Sequence, residues 1–142
     1  MPDDSRAPDP VAAYLTLEQM ARAFHEAAGL KLPPGPTLDI GAEFVSDEVR
    51  QRILDEEVRE LRFAVVTSDL TGIADALADI AYVIAGTAVT YGLPFDAILA
   101  EVHRSNMTKF GPDGPKVRAD GKIIKGPGYE PPCIAELLER AV

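Results

Sequence analysis

With 142 residues, 46% of them hydrophobic, the chain is long enough for one domain with a real core and too apolar to be disordered. A formal net charge of −9 excludes a general binder of nucleic-acid polymers, which needs a basic face. One cysteine, Cys133, excludes an internal disulfide. The chain has no Trp and only 6% aromatics, so a core built from Ala, Val, Ile and Leu is expected, as in helical bundles. No apolar run approaches the ~20 residues that cross a bilayer, so no membrane partner is expected. Without a signal peptide the expected setting is a reducing cytoplasm, with Cys133 as a small buried hydrophobe.

Residues 1–13 are rich in Pro and Asp without periodicity and read as a flexible tail. A first helix is predicted from Thr16, because Thr16-Leu17-Glu18-Gln19 has the form of a capping box. Leu17, Met20, Ala21, Phe24 and Ala28 give its apolar face, and Gly29 ends it. His25 beside Phe24 reads as a half-buried or surface histidine, with a role in base binding as the alternative. The stretch from Leu30 to Phe44 holds Pro33, Pro34, Gly35 and Pro36, which excludes helix and central strand and leaves an extended connection.

A second helix is predicted from the N-cap Ser46, with Asp47 and Glu48 in its first turn, to about Val66. Thr67-Ser68-Asp69 is short enough to make the next helix its antiparallel neighbour. That third helix, about Leu70 to Tyr91, is apolar nearly all round from Ile73 to Val89 except at Asp75 and Asp79. Gly92 terminates it. A fourth helix covers roughly Phe95 to Lys109. A turn cluster over Gly111–Pro115 then leads to a small hairpin, Val117-Arg118 and Lys122-Ile123-Ile124 about an Asp120-Gly121 turn. Lys116, Arg118, Lys122 and Lys125 make this the most basic region of an acidic chain, as a phosphate-clamping flap or as solvated lysines. A short helix from Cys133 to about Arg140 closes the chain. The fold expected is all-α: a four-helix-bundle-type core, a C-terminal β-hairpin flap and a short terminal helix, in one domain over 1–142.

Two acidic stretches stand out. In the second helix Val49, Ile53, Glu57, Leu61 and Val65 recur on one face, with Glu60 three residues after Glu57. In the third, Gly72, Ala76, Asp79, Val83 and Gly86 do the same, and Asp75 is the i−4 neighbour of Asp79. Paired antiparallel, the two helices bring four carboxylates together on their apolar side. That arrangement is costly without a cation, and hard oxygen ligands suit Mg²⁺ or Mn²⁺. The bland alternative is a solvated acidic face. The glycine-rich phosphate loops are absent, so a phosphate would be held by metal and by cationic side chains.

Glu56-Glu57-Val58-Arg59-Glu60, then Asp75-Ala-Leu-Ala-Asp79 before Ile80-Ala81-Tyr82-Val83, resembles the all-α nucleotide pyrophosphohydrolases. That superfamily includes MazG, the dimeric dUTPases and phosphoribosyl-ATP pyrophosphatase. The likeness is greatest to small MazG-like proteins. It extends through Gly86-Thr87, Tyr91-Gly92, Glu101–Met107, a Gly-Pro-Asp-Gly turn and Lys125-Gly-Pro-Gly-Tyr129-Glu-Pro-Pro, and spans roughly residues 14 to 132. The resemblance implies hydrolysis of a nucleoside, preferably deoxynucleoside, triphosphate between the α- and β-phosphates, with Mg²⁺ or sometimes Mn²⁺. It further implies a homodimer or homotetramer and a housecleaning type of role.

By motif, the resemblance makes Glu57 and Glu60 metal ligands together with Asp79. Glu56 becomes an additional acid that ligates metal or takes a proton from water. Asn106 and Lys109 become substrate contacts, Lys109 also stabilising charge, and Lys125 and Tyr129 become phosphate contacts of the flap. The family pattern has Glu three residues before the Asp, where this chain has Ala76; Asp75 is the acid able to substitute. Two rivals are weighed beside this reading: a pyrophosphatase of phosphoribosyl-ATP or another nucleotide conjugate, and a non-catalytic helical interaction module. A ferritin-type di-metal bundle is excluded, since neither His25 nor His103 follows a Glu by three residues.

Overall fold

The computed structural model describes residues 15–142, so the tail expected over 1–13 lies outside the described residues. Five helices follow in order: α1 Leu17–Ala27, α2 Asp47–Val66, α3 Leu70–Thr90, α4 Phe95–Met107 and α5 Ile134–Arg140. The described residues contain no strand, and the chain is all-α. It divides into two compact units, Met1–Leu93 and Pro94–Val142.

In the first unit α2 and α3 form the expected antiparallel hairpin, and α1 packs on α3. Each start is fixed locally. Thr16 closes a true capping box, its hydroxyl accepting from Gln19 N–H at 3.2 Å while the Gln19 side chain accepts from Thr16 N–H at 2.9 Å. Ser46 caps α2 and Asp69 caps α3, accepting from Gly72 N–H at 3.0 Å.

The ends of α1, α2 and α3 share one device. A residue with positive φ follows each C-cap, and the next N–H reaches back to the carbonyl five residues earlier: Leu30 to His25, Asp69 to Ala64, Leu93 to Ala88. Gly29 and Gly92 fill the strained position in two cases, but in the α2–α3 turn it is Ser68, at φ 55°. Gly92 is required twice over, since a Cβ there would run into the carbonyl oxygen of Gly35.

The buried apolar side chains are small: Ala21, Ala64, Ala76, Ala85, Ala88 and Val89, with Phe44 from the connection. Small residues allow the helices to approach closely, and Gly72 lies so near Ala64 that an added Cβ would be 3.2 Å from the alanine methyl. One consequence departs from expectation. By length and composition α3 is apolar enough to cross a membrane, with a mean hydropathy of 1.5. Asp75 and Asp79 interrupt this apolar helix, and 28% of its most apolar stretch is buried.

The second unit contains α4, α5 and the connection between them. The β-hairpin flap does not form. Residues 117–124 keep the Asp120-Gly121 turn, with Gly121 at φ 87°, but only an isolated bridge joins Val117 to Ile123. The reason is physical. Val117, Ile123 and Ile124 remain exposed, so no buried face holds a ladder together. Asp120 instead closes the turn with its side chain, pairing with Arg118 and accepting from Lys122 N–H. Cys133, expected to be buried, is exposed at the start of α5.

Candidate active site

Residue numbers pair across the α2–α3 hairpin in layers. Ala64 meets Gly72 near the turn, and Glu60 and Asp75 line one pocket of about 430 Å³ with Arg59 and Phe63. One turn further from the loop, Glu57 belongs with Asp79. Glu57 is the centre of the group. Its Oε2 is buried and has no hydrogen-bond partner. Burial pushes its carboxyl above the ordinary carboxylate range, and Glu60, Asp79, Asp75 and Glu56 each push it further. The four neighbouring acids singled out by sequence are therefore close enough to act on Glu57 electrostatically. Glu56, Glu60, Asp75 and Asp79 are exposed, while Ala76, at the family's Glu position, is buried at 3% exposure. Glu at position 76 would have to leave that packed site, whereas Asp75 faces the pocket that Glu60 shares.

Among the described residues no three His, Cys, Asp or Glu side chains stand at metal-ligating geometry. The carboxylates are gathered without being closed on a common point. The donor chemistry nonetheless fits a hard divalent cation. An orphaned, buried carboxylate oxygen amid four more carboxylates needs positive charge, and oxygen-only donors select Mg²⁺ or Mn²⁺ over softer metals.

The second unit gathers the other four candidates. Lys109, in the turn after α4, donates from Nζ to Asn106 Oδ1 at 2.7 Å. Lys125 Nζ stands 4.5 Å from the centre of the Tyr129 ring. Contact with the Ser105 hydroxyl, and then the charges of Lys125 and Lys109, hold the Tyr129 phenol below its usual range. Asn106, Lys109, Lys125 and Tyr129 are thus one cationic cluster, suited to an anion.

A clamp that sequence reasoning did not single out organises this cluster. Arg104 grips Glu101 with two bonds of 2.8 Å and Glu130 with a third of 2.8 Å. Glu101 also accepts from Cys133 N–H at 2.9 Å, and its carboxyl is held down to about 2, chiefly by Arg104. Ser105 Oγ donates to Glu130 O, and Glu130 N–H donates to Thr108 Oγ1. The segment carrying Lys125 and Tyr129 is thereby tied to α4.

Two further polar groups escaped the sequence. Tyr91 donates to Asp47 Oδ1 at 2.5 Å, which raises the phenol's pKa, and Arg50 beside them has its guanidinium pKa lowered by burial. The partners lie 44 residues apart, so no local pattern announces them. His25, expected at the surface or half-buried, is buried at 7% exposure, with Nδ1 bonded to Ala21 O at 2.8 Å.

A family model described as phosphoribosyl-ATP pyrophosphohydrolase matches residues 21–106, more than half of the chain. No curated protein matches the chain.

Proposed function

The chain belongs to the phosphoribosyl-ATP pyrophosphohydrolase family and so to the nucleotide pyrophosphohydrolases, and from that premise we propose a Mg²⁺-dependent hydrolase, Mn²⁺ substituting, of MazG-like type. Its substrate is a nucleoside triphosphate, preferably a deoxynucleotide, cleaved between the α- and β-phosphates. The observation that carries this reading is the orphaned Glu57 carboxylate among Glu56, Glu60, Asp75 and Asp79.

Glu57, Glu60, Asp75 and Asp79 would hold the cation, with Glu56 at its margin. When bound, the cation supplies charge neutralisation at the phosphate oxygens. The chain's own side chains account for the rest. A water oxygen attacks the α-phosphorus, the bond from that phosphorus to the bridging oxygen breaks, and pyrophosphate leaves. Glu56, exposed on the same helix, accepts the water's proton. In the second unit Lys109 and Lys125, oriented by Asn106 and Tyr129, form a cationic cluster of the kind that takes phosphate oxygens. Large exposed side chains on the α2–α3 hairpin, among them Phe63, Val66 and Leu70, support a homodimer or homotetramer. A single free cysteine supports a cytoplasmic setting.

A second reading is favoured by the family description itself: phosphoribosyl-ATP is the substrate. One experiment separates the two. Canonical and modified NTPs, dNTPs and phosphoribosyl-ATP are incubated with Mg²⁺ or Mn²⁺, and the products are resolved by chromatography. Monophosphate plus pyrophosphate from triphosphates, lost in Glu57→Gln, is the expected result. Turnover of phosphoribosyl-ATP alone establishes the second reading, and intact substrates throughout leave a helical interaction module.

A further inference from the structure

Lys125 and Tyr129 sit in a stretch, residues 125–130, that has no helix or strand of its own. Gly126-Pro127-Gly128 makes it a turn, closed by Tyr129 N–H donating to Gly126 O at 3.2 Å. Most of the stretch is exposed, so little burial holds it in place. Left to itself, such a segment would present its ammonium and its phenol in many arrangements.

The bonding around one residue restricts it. Glu130 is met at three of its groups by Arg104, Ser105 and Thr108, which share a face at the end of α4. Its carboxylate accepts from Arg104 Nη1 at 2.8 Å, its carbonyl accepts from Ser105 Oγ at 2.8 Å, and its N–H donates to Thr108 Oγ1 at 2.9 Å. Ser105 is buried, which shields its bond from water. Arg104 is itself held from behind by both oxygens of Glu101, leaving the third arm of a planar fork for Glu130. At the other end of the turn Gly126 lies so close to the last turn of α4 that a Cβ would stand 3.3 Å from Lys109 O. Between these two anchors Lys125 Nζ is kept against the Tyr129 ring. All three nitrogens of the Arg104 guanidinium are engaged within the protein, so its charge is not the one offered to a ligand.

We propose that Arg104 is a positioning residue for the anion site of the second unit: by latching Glu130 to α4 it holds Lys125 and Tyr129 beside Lys109 before an anion arrives. The proposal rests on reading that cationic cluster as a phosphate-binding site, and it involves neither the acidic seam nor a metal. A cluster set in advance loses less freedom on binding, so the latch raises anion affinity without touching the anion.

The test uses inorganic pyrophosphate without metal, titrated into the full chain while the NMR signals of Lys109, Lys125 and Tyr129 are followed. Saturable shifts at all three residues are expected. Arg104→Ala should weaken binding about tenfold, the worth of one charge-assisted hydrogen bond. Arg104→Lys, which can reach one glutamate, should recover part of the loss. Glu130→Gln keeps the two backbone bonds of the latch, should fall between wild type and Arg104→Ala, and carries the test if Arg104→Ala does not fold. A second readout separates positioning from bulk stability. The Tyr129 phenol, held below its usual range, should move back towards that range in Arg104→Ala and part of the way in Glu130→Gln. Affinity and Tyr129 titration both unchanged in the two variants overturn the proposal. Weakened binding with an unmoved Tyr129 titration also overturns it, because Arg104 would then be an anion contact itself. If pyrophosphate leaves the wild-type signals in place, the cluster is no anion site and the proposal falls with it. Mg²⁺-dependent hydrolysis and its loss in Glu57→Gln report separately on the acidic seam.

Discussion

The acidic seam of α2 and α3 and the clamp on α4 use the same residue types to opposite ends. At the clamp every carboxylate has a partner: Glu101 holds Arg104 and Cys133 N–H, and Glu130 holds the remaining arm of the guanidinium. At the seam Glu57 has none, and its neighbours are like charges. The pKa directions record the contrast, with Glu101 held down to about 2 and Glu57 pushed up. Satisfied charges serve the architecture of the second unit. In the first unit Glu57 is left without a partner at a place where its charge is costly.

The sharpest way to break this comparison is Glu57→Gln. Hydrolysis should fall at least about a hundredfold, measured as kcat/KM on the best substrate, because the proposed cation would lose a ligand. The melting temperature of the metal-free variant should rise, since a repelled carboxylate has been neutralised. A large fall in Tm would show Glu57 to be structural, like Glu101. Next in size, Mg²⁺ at about 100 times its Kd should stabilise the protein by about 2.7 kcal/mol in urea melts, and Mn²⁺ similarly. Glu57→Gln should remove most of that gain. Arg104→Ala should leave the Mg²⁺ effect intact and lower the urea midpoint. That loss is smaller than the metal's effect, because Arg104 is 42% exposed and its ion pairs are screened by water.

Titration sharpens the contrast further, with opposite signs at the two places. Glu101 binds its proton less tightly folded than unfolded. Its contribution is fully present above the unfolded value of 4.5 and is lost as pH falls through about 2. Glu57 binds its proton more tightly when folded, so its contribution is greatest below 4.5 and declines as pH rises through its raised value. Metal-free protein should therefore gain stability on mild acidification relative to Glu57→Gln, and lose it near pH 2 relative to Arg104→Ala. The smallest expected effect lies in the turn that joins the two helices of the seam. Ser68→Gly should stabilise by about 0.5–1 kcal/mol, because a left-handed residue costs a side chain strain that glycine escapes.

What the sequence disclosed was what neighbouring residues decide. The capping box at Thr16, the caps at Ser46 and Asp69 and the glycine stop at Gly92 all depend on partners within one or two turns. Those readings match the structure to within a residue or two. The hairpin reading failed because a strand needs a face to bury, and residues 117–124 have the turn chemistry without the cover. His25 was misjudged because its burial is set by α3 packing across α1. Asp47–Tyr91 and Arg104–Glu130 join residues 44 and 26 positions apart, and Arg104 reads locally as one more helix cation. Ala76, where the family pattern has Glu, is buried, while Asp75 beside it is exposed.

The closeness of Gly35 to Gly92 has an effect on the chain as a polymer. Together with the bond from Thr37 N–H to Tyr91 O, it pins the long connection between α1 and α2 near its middle, against the end of α3. One long loop thereby becomes two short ones, each closing at a lower entropic cost. The two halves are also uncoupled in length. Residues inserted after Leu38, which is 93% exposed, would lengthen one half without moving the other. A side chain at position 92 would release the pin and return both halves to a single slack span.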